Sequence, residues 1–417
     1  MTSFVSKVVG SLVFAACLGA SLPATAMDPA EDEAIVTQKL TSPSAVIWTR
    51  QFGTSDVDWA AGVATGPAGN VLIAGIEGEF SVGGTGNLFV AKHDGRSGAR
   101  FWKRRFSDFP RWPLVNGIAT DARGNVLIAG EAWDGLNDAF VAKYTISGRL
   151  LWKRYLGRSA DYDAANGVAT DTDGNVLIAG NTSGSLGGHN QGSDDAFVAK
   201  YSASGDLLWK RQIGSHNRDN ARGVATDAHG NVLIAGNTSG SLGGHNQGSD
   251  DAFVAKYSAS GDLLWTRQIS SPQRDGANGV ATDTYGNVLI AGQTGGSLGG
   301  DNQGLDDAFV AKYGPSGLLV WKRQIGSPRH DGANGIATDT DGNVLIAGQT
   351  GGSLGGHNQG SDDAFVAKYS APGNLVWTRQ IGSPQDDGAT GVATDAHGNV
   401  LIAGQSDSDA FVTKLRP

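Results

Sequence analysis

A seven-bladed β-propeller is the fold this sequence predicts. A tryptophan followed by Lys or Thr and then Arg recurs at Trp48, Trp102, Trp152, Trp209, Trp265, Trp321 and Trp377, spaced 54, 50, 57, 56, 56 and 56 residues apart. Self-similarity at such a period marks a repeat architecture. Each repeat contains four short strand-like runs, and four-stranded sheets repeated radially make a propeller. The two ends of the chain also complement each other, because a spare outer strand at the front matches one missing at the back.

Residues 1–26 read as a signal peptide. Lys7 supplies the positive region, Val8 to Leu22 the apolar stretch, and Ala24-Thr25-Ala26 a small-x-small cleavage signal. Cys17 is the one cysteine and lies inside that stretch, where Leu18 to Leu22 continue the apolar run and argue against a lipid anchor. The mature chain then enters an oxidising compartment without disulfides, so packing must hold it together. No later segment approaches about 18 uninterrupted apolar residues, so no integral membrane segment is expected after cleavage. Residues 27–44 are polar and unpatterned and read as a tether.

The propeller is expected over 45–417 as a single domain. Blade 3 gives the pattern. Its first run is Gly167–Asp171, rich in small residues, as strands converging on an axis require. The second, Asn175–Gly180, is apolar on both faces and should be covered on both sides. The third is Asp195–Tyr201 and the fourth Leu207–Ile213. Asp/Gly/Asn turns join the first pair and Ser-Ala-Ser-Gly-Asp the second, both with hairpin chemistry. Charges after each Trp on the fourth run suit an outer edge that must not recruit another chain. Helical patterning at period 3.6 is absent, and 63 glycines argue for tight turns. The seventh fourth run is missing behind Asp409–Lys414, and Ala45–Gln51 is expected to complete blade 7 and close the ring.

The Gly-Val-Ala strand, Gly-Asn-Val hairpin, Asp-Ala-Phe-Val-Ala-Lys strand and Leu-Trp strand resemble the bacterial SBBP-type β-propeller repeat, matched seven times over about 45–415. The resemblance implies a secreted or envelope protein and no common activity, so it carries over no catalytic residue. A weaker likeness to quinoprotein propellers rests on Ser204-Gly205-Asp206-Leu207-Leu208-Trp209, without their cofactor-site residues.

Three sets of residues are candidates for chemistry. The seven tryptophans recur far from the axis and read as packing between blades rather than ligand platforms. An acidic ring, Asp58, Asp163, Asp219, Asp275, Asp331 and Asp387, precedes the first strands, with Pro113 breaking it in blade 2. Asp138, Asp195, Asp251, Asp307, Asp363 and Asp409 open the third strands, with Asn87 in blade 1. Short carboxylates beside glycine turns accept backbone N–H bonds, so both sets read as structural, with calcium as the alternative. Asp171-Thr172-Asp173-Gly174-Asn175 resembles the start of a calcium loop but lacks an acidic twelfth position and reads as a turn.

The third set is the loop between second and third strands, which is long in blades 3 to 6 (TSGSLGGHNQGSDD in blades 3 and 4) and short in blades 2 and 7. A hairpin needs only about 2–5 residues there. On these loops the candidate ligand contacts are Leu186, His189, Asn190, Gln191 and Asp194; His245, Asn246, Gln247 and Asp250; Asp301, Asn302, Gln303 and Asp306; and His357, Asn358, Gln359 and Asp362. The histidines lie a blade or more apart, too far to share one ion with bonds of about 2 Å, so no metal is assigned.

The whole chain has 32 Lys+Arg against 41 Asp+Glu, a net of -9, and no basic stripe, which disfavours nucleic acid. Catalysis needs unlike residues converging at one place, whereas this chain repeats like residues around a ring. The expected function is an exported, non-catalytic binding or scaffold protein, monomeric and without cofactor. It would use the loops of blades 3–6 for multivalent recognition of a glycan or an envelope or extracellular protein, in the periplasm, at the cell surface or released. The alternatives are a propeller enzyme, hydrolase, lyase or quinoprotein-like, and a purely structural surface protein.

Overall fold

The computed structural model describes residues 45–417, apart from 79–86, 107–108, 110–112, 134–136 and 158–160. The signal segment, Cys17 and the tether lie outside the described residues. Strands alone make the fold: seven separate four-stranded antiparallel sheets, each a blade. In blade 3 the inner strand Asp163–Thr170 pairs with Val176–Thr182, then Asp195–Tyr201, then the outer strand Leu207–Ile213. The inner strands stand side by side around the axis, blade 7 against blade 1. Gly62, Gly117, Gly167, Gly223, Gly279, Gly335 and Gly391 make that approach possible. A Cβ on Gly223 would meet the backbone nitrogen of Val280 at 3.0 Å, tighter than ordinary packing allows.

The second strands of blades 3 and 4 are buried from end to end, as their two apolar faces demand, and in blades 5 and 6 a residue near the loop end, Gln293 or Gln349, is the exception. Leu177 and Ala179 of blade 3 pack with Val232 and Ile234 of blade 4, and equivalent clusters fill every seam. The ring closes as predicted. Val46–Phe52 pairs with Asp409–Leu415, with Arg50 opposite Val412 and Phe52 opposite Ala410. The closing strand makes the same contacts into blade 1 as the other outer strands make into their neighbours.

Those contacts run from the tryptophans of the outer strands to the next blade. The Trp152 indole N–H donates to the Ala203 carbonyl in the next blade (3.0 Å), and Trp209, Trp265, Trp321 and Trp48 repeat the bond. Trp152 also covers Gly205, whose φ of 89° and missing Cβ (2.7 Å from the ring had it one) leave room for the indole. Trp102 and Trp377 are partly buried at their own seams.

Two expectations change. The inner strand begins at Asp163, not at Gly167. A register shift between Ala165 and Gly167 interrupts the period-two pattern, and only the part after the bulge is recognisable as a strand. The arginine after the Trp, on this outer edge, is also a clasp to the next blade, through Nε in five of the seven repeats. Arg154 Nε donates to the Gly205 carbonyl at 2.7 Å while its guanidinium lies over the Trp152 ring, and Arg211, Arg267 and Arg323 do the same.

Candidate functional site

The long loops of blades 3 to 6 share a face with the turns that enter the next inner strand. Backbone bonds tie each loop to both neighbours: Ser183 N–H to the Tyr162 carbonyl before its own inner strand, and Asp219 N–H at the start of the next inner strand to the Asp194 carbonyl. Each long loop is also clamped by one side chain from its own outer strand. Gln212 accepts at Oε1 from the N–H groups of Leu186 (2.8 Å) and Gly187 (3.0 Å), and its amide donates to the Gly184 carbonyl and to Asp195 Oδ2, each at 2.9 Å. Gln268, Gln324 and Gln380 repeat the clamp in blades 4 to 6. Arg105 and Tyr155 occupy that place in blades 1 and 2. A glutamine three residues after the Trp accompanies every long loop, and Gln51 in blade 7 makes the same bond to its third-strand carboxylate, Asp409, beneath a short one.

The clamp divides the candidate residues into two groups. Leu186, Leu242, Leu298 and Leu354 turn inward onto the seam clusters, and Leu298 is 2% exposed. Asn190 donates to the Ser183 and Gly192 carbonyls, and Asn246, Asn302 and Asn358 likewise bond within their loops. These eight residues build the loops, because their polar atoms or apolar surfaces are engaged inside. Asp194, Asp250 and Asp306 face the neighbouring turn, where they meet Arg218 at 3.4 Å, Arg274 at 3.5 Å and His330 at 3.1 Å. Asp362 faces Asp386 instead, and burial first, then that like charge, raises its carboxyl. His189, His245, Asp301 and His357 with Gln191, Gln247, Gln303 and Gln359 are exposed. Gly295–Gly299 and Gly351–Gly355 spell Gly-x-Ser-x-Gly, but no helix follows among the described residues. Ser297 Oγ there accepts the Asn302 N–H, a capping bond that holds the loop.

The acidic ring is structural in position. Asp58, Asp163, Asp219, Asp275, Asp331 and Asp387 are at most 5% exposed. Asp219 accepts the Ser215 backbone N–H (2.6 Å) and hydroxyl, and Asp275, Asp331 and Asp387 repeat the pair. Burial pushes these carboxyls above their usual range against those bonds. The third-strand carboxylate beside each adds to the rise, as Asp195 does for Asp219.

The Asp171 turn carries a different carboxylate. Asp171 accepts from the Asn175 amide and backbone and meets Lys200 of the third strand at 2.9 Å. Burial alone would raise it, but the bonds from Asn175 and Lys200 outweigh burial and hold it below the usual range. The turn therefore holds a buried lysine. Asp121, Asp227, Asp283, Asp339 and Asp395 do the same in their blades. Among the described residues, no three His, Cys, Asp or Glu side chains group as metal ligands, and no helix is long and apolar enough to cross a membrane.

The fold and loop geometry define the class: a closed β-propeller with one face ornamented on consecutive blades. The beta-propeller repeat model SBBP matches residues 151–187, 208–243, 264–299, 320–355 and 376–411, and the chain belongs to that repeat family. A WD repeat-containing protein of Acanthamoeba polyphaga mimivirus is 24% identical over 42% of this chain, and the regulatory protein FlaEY of Caulobacter vibrioides is 27% identical over 55%. The matches span 17% and 25% of those proteins, so the chain aligns with about a sixth to a quarter of their length. Among solved structures, Sqt1 of Chaetomium thermophilum superposes with a TM-score of 0.50, at 11% identity over 86% of this chain and 81% of that one. A copper-bound fungal alcohol oxidase of the AA5 family gives 0.51, at 15% identity over 88% and 75%. At these identities the likeness is one of fold.

Proposed function

We propose that this is an exported, non-catalytic binding protein that recognises a repeating glycan through the loop face of blades 3 to 6. One observation carries the reading: four consecutive loops are held in the same conformation by the same glutamine clamp, and each presents an exposed His or Asp and an exposed Gln. Amide, imidazole and carboxylate groups on a polar, glycine-rich loop are suited to sugar hydroxyls. Identical weak sites at regular spacing suit a polymer with regular spacing, because avidity can exceed a single site by 10²–10⁴. Export rests on the N-terminal segment.

A glycan array probed with the mature protein tests the reading. Binding to an extended glycan is expected, and it should disappear when His189, Gln191 and their equivalents in blades 4 to 6 are all replaced by Ala. These side chains are exposed, so the variant should keep the melting temperature of the parent. Deleting whole loops would be a poorer test, since it would also strip the partners of Gln212 and uncover the seam beneath Leu298.

A second reading has its own observation. Leu207, Leu208, Leu263, Leu264, Leu319, Val320, Leu375 and Val376 on the outer strands of blades 3 to 6 are 45–58% exposed. An apolar rim of that kind favours an envelope or extracellular protein as the partner. Silence on the array together with such a protein co-purifying would select it.

A further inference from the structure

The axis holds a feature that the seven-fold repeat does not explain. One residue above the glycine ring, toward the loop face, the inner strands carry Ala61, Asn116, Asn166, Arg222, Asn278, Asn334 and Thr390 in turn. The ring is mostly self-satisfied. Asn116, Asn166, Asn278 and Asn334 each donate to a carbonyl of the next blade (Ala165, Ala221, Ala333 and Ala389) at 2.8–3.1 Å, and Thr390 donates to the Ala60 carbonyl at 2.7 Å. Arg222 departs from this pattern. Its Nη1 donates to the Asn278 side-chain oxygen at 2.6 Å, and among the described residues it has no carboxylate partner. A guanidinium carries five donors, so most of its donors remain unused.

Its surroundings add positive charge. Burial depresses the Arg222 guanidinium below its ordinary range, and repulsion from Arg274 and Arg218 adds to that effect, outweighing the pull of Asp250. Arg218 and Arg274 stand on the turns entering blades 4 and 5, where each meets a loop carboxylate, Asp194 and Asp250, so that among the described residues Arg222 is the cation of the three without one. A partly buried cation without an anion is costly, and like charges crowding it make it more so. Next to it along the strand, the axial channel has a cavity of about 170 Å³ lined by Ala61, Asn116, Asn166, the glycine ring and the Val/Ile ring that follows it; Arg222 stands one residue above that lining, at Gly223. That volume compares with a cavity of about 150 Å³ that holds a six-carbon ring.

We propose that the loop-face end of the axial channel is a binding site for a small oxyanion-bearing molecule, a carboxylate or phosphate, held by Arg222 with Arg218 and Arg274 at its mouth. Planar guanidinium groups match both oxyanions in a bidentate manner. The site involves none of the exposed loop residues assigned above, so it stands or falls independently of glycan recognition.

Titration calorimetry of the purified protein with inorganic phosphate, malonate and glucuronate tests it. Arg222→Asn is the informative variant, because it restores the residue that four other blades carry and should fold. The expected result is one-to-one binding of at least one of the three with a Kd of about 1 mM or tighter, weakened about tenfold or more by R222N. Arg274→Gln, on the surface, should weaken it severalfold and serves if the first variant is unstable. The bound anion should also raise the melting temperature of the parent and not that of R222N. Equal binding by parent and variants, or no binding of any of the three by the parent, overturns the proposal.

Discussion

Gln212 illustrates how much of this protein is decided one side chain at a time. It satisfies two N–H groups, a carbonyl and a buried carboxylate at once, and so holds a long glycine-rich loop in place. The buried aspartates divide into two electrostatic classes with opposite pH behaviour. The class of Asp171, Asp227 and Asp283 is depressed by its asparagine and lysine partners despite burial. Its stabilisation is present above the unfolded value of about 3.9 and is lost as pH falls through the depressed value. The class of Asp219, Asp275 and Asp331 is raised by burial. Its contribution is complete below about 3.9 and is lost as pH rises through the raised value. The two classes therefore pull stability in opposite directions as pH changes. In urea unfolding across pH, Asp219→Asn should make stability decline less as pH rises above the unfolded carboxylate value. An unchanged pH dependence in Asp219→Asn would contradict the assignment.

At the scale of strands, the sequence was most informative where the repeat is most regular. The seven Trp positions and the phase of the two ends were enough to assign the closing strand, because an outer strand has one place to pair. The inner strands were misjudged by four residues, since the bulge after Ala165 shifts the side-chain alternation. The clamp, the lysine-bearing turns and the arginine clasps escaped because each joins residues distant in sequence, such as Gln212 with Leu186 or Arg154 with Gly205. Arg222 was passed over because an isolated substitution within a repeat gives no sign, in sequence, of what surrounds it. The closing strand is the element with the clearest consequence. Deleting residues 45–52 should expose the edge of Asp409–Leu415, remove the Trp48 seam and lead to aggregation with a lowered melting temperature. A truncated protein that stays monomeric with an unchanged melting temperature would refute the closure.

The whole molecule is a ring whose blades are nearly interchangeable in packing and unequal in ornament. Identical segments Gly174–Trp209 and Gly230–Trp265 show that a blade and its loop were copied together, so a binding surface could be multiplied without redesigning the core. The loops reach full length only in blades 3 to 6, and the axial guanidinium occurs only in blade 4. Function is therefore expected where the symmetry breaks, on one face and on one side of it. If the loop crescent acts as a multivalent surface, removing its sites should have a compounding effect. The decisive measurement is the affinity for a long glycan, by surface plasmon resonance, of four variants in which the exposed His or Asp and Gln are replaced by Ala in one, two, three and then all four loops. The account predicts successive losses that multiply, reaching about 10²–10⁴ between four sites and one, with melting temperatures unchanged. An affinity that is unaffected until one particular loop is altered, or that survives the loss of all four, would contradict it.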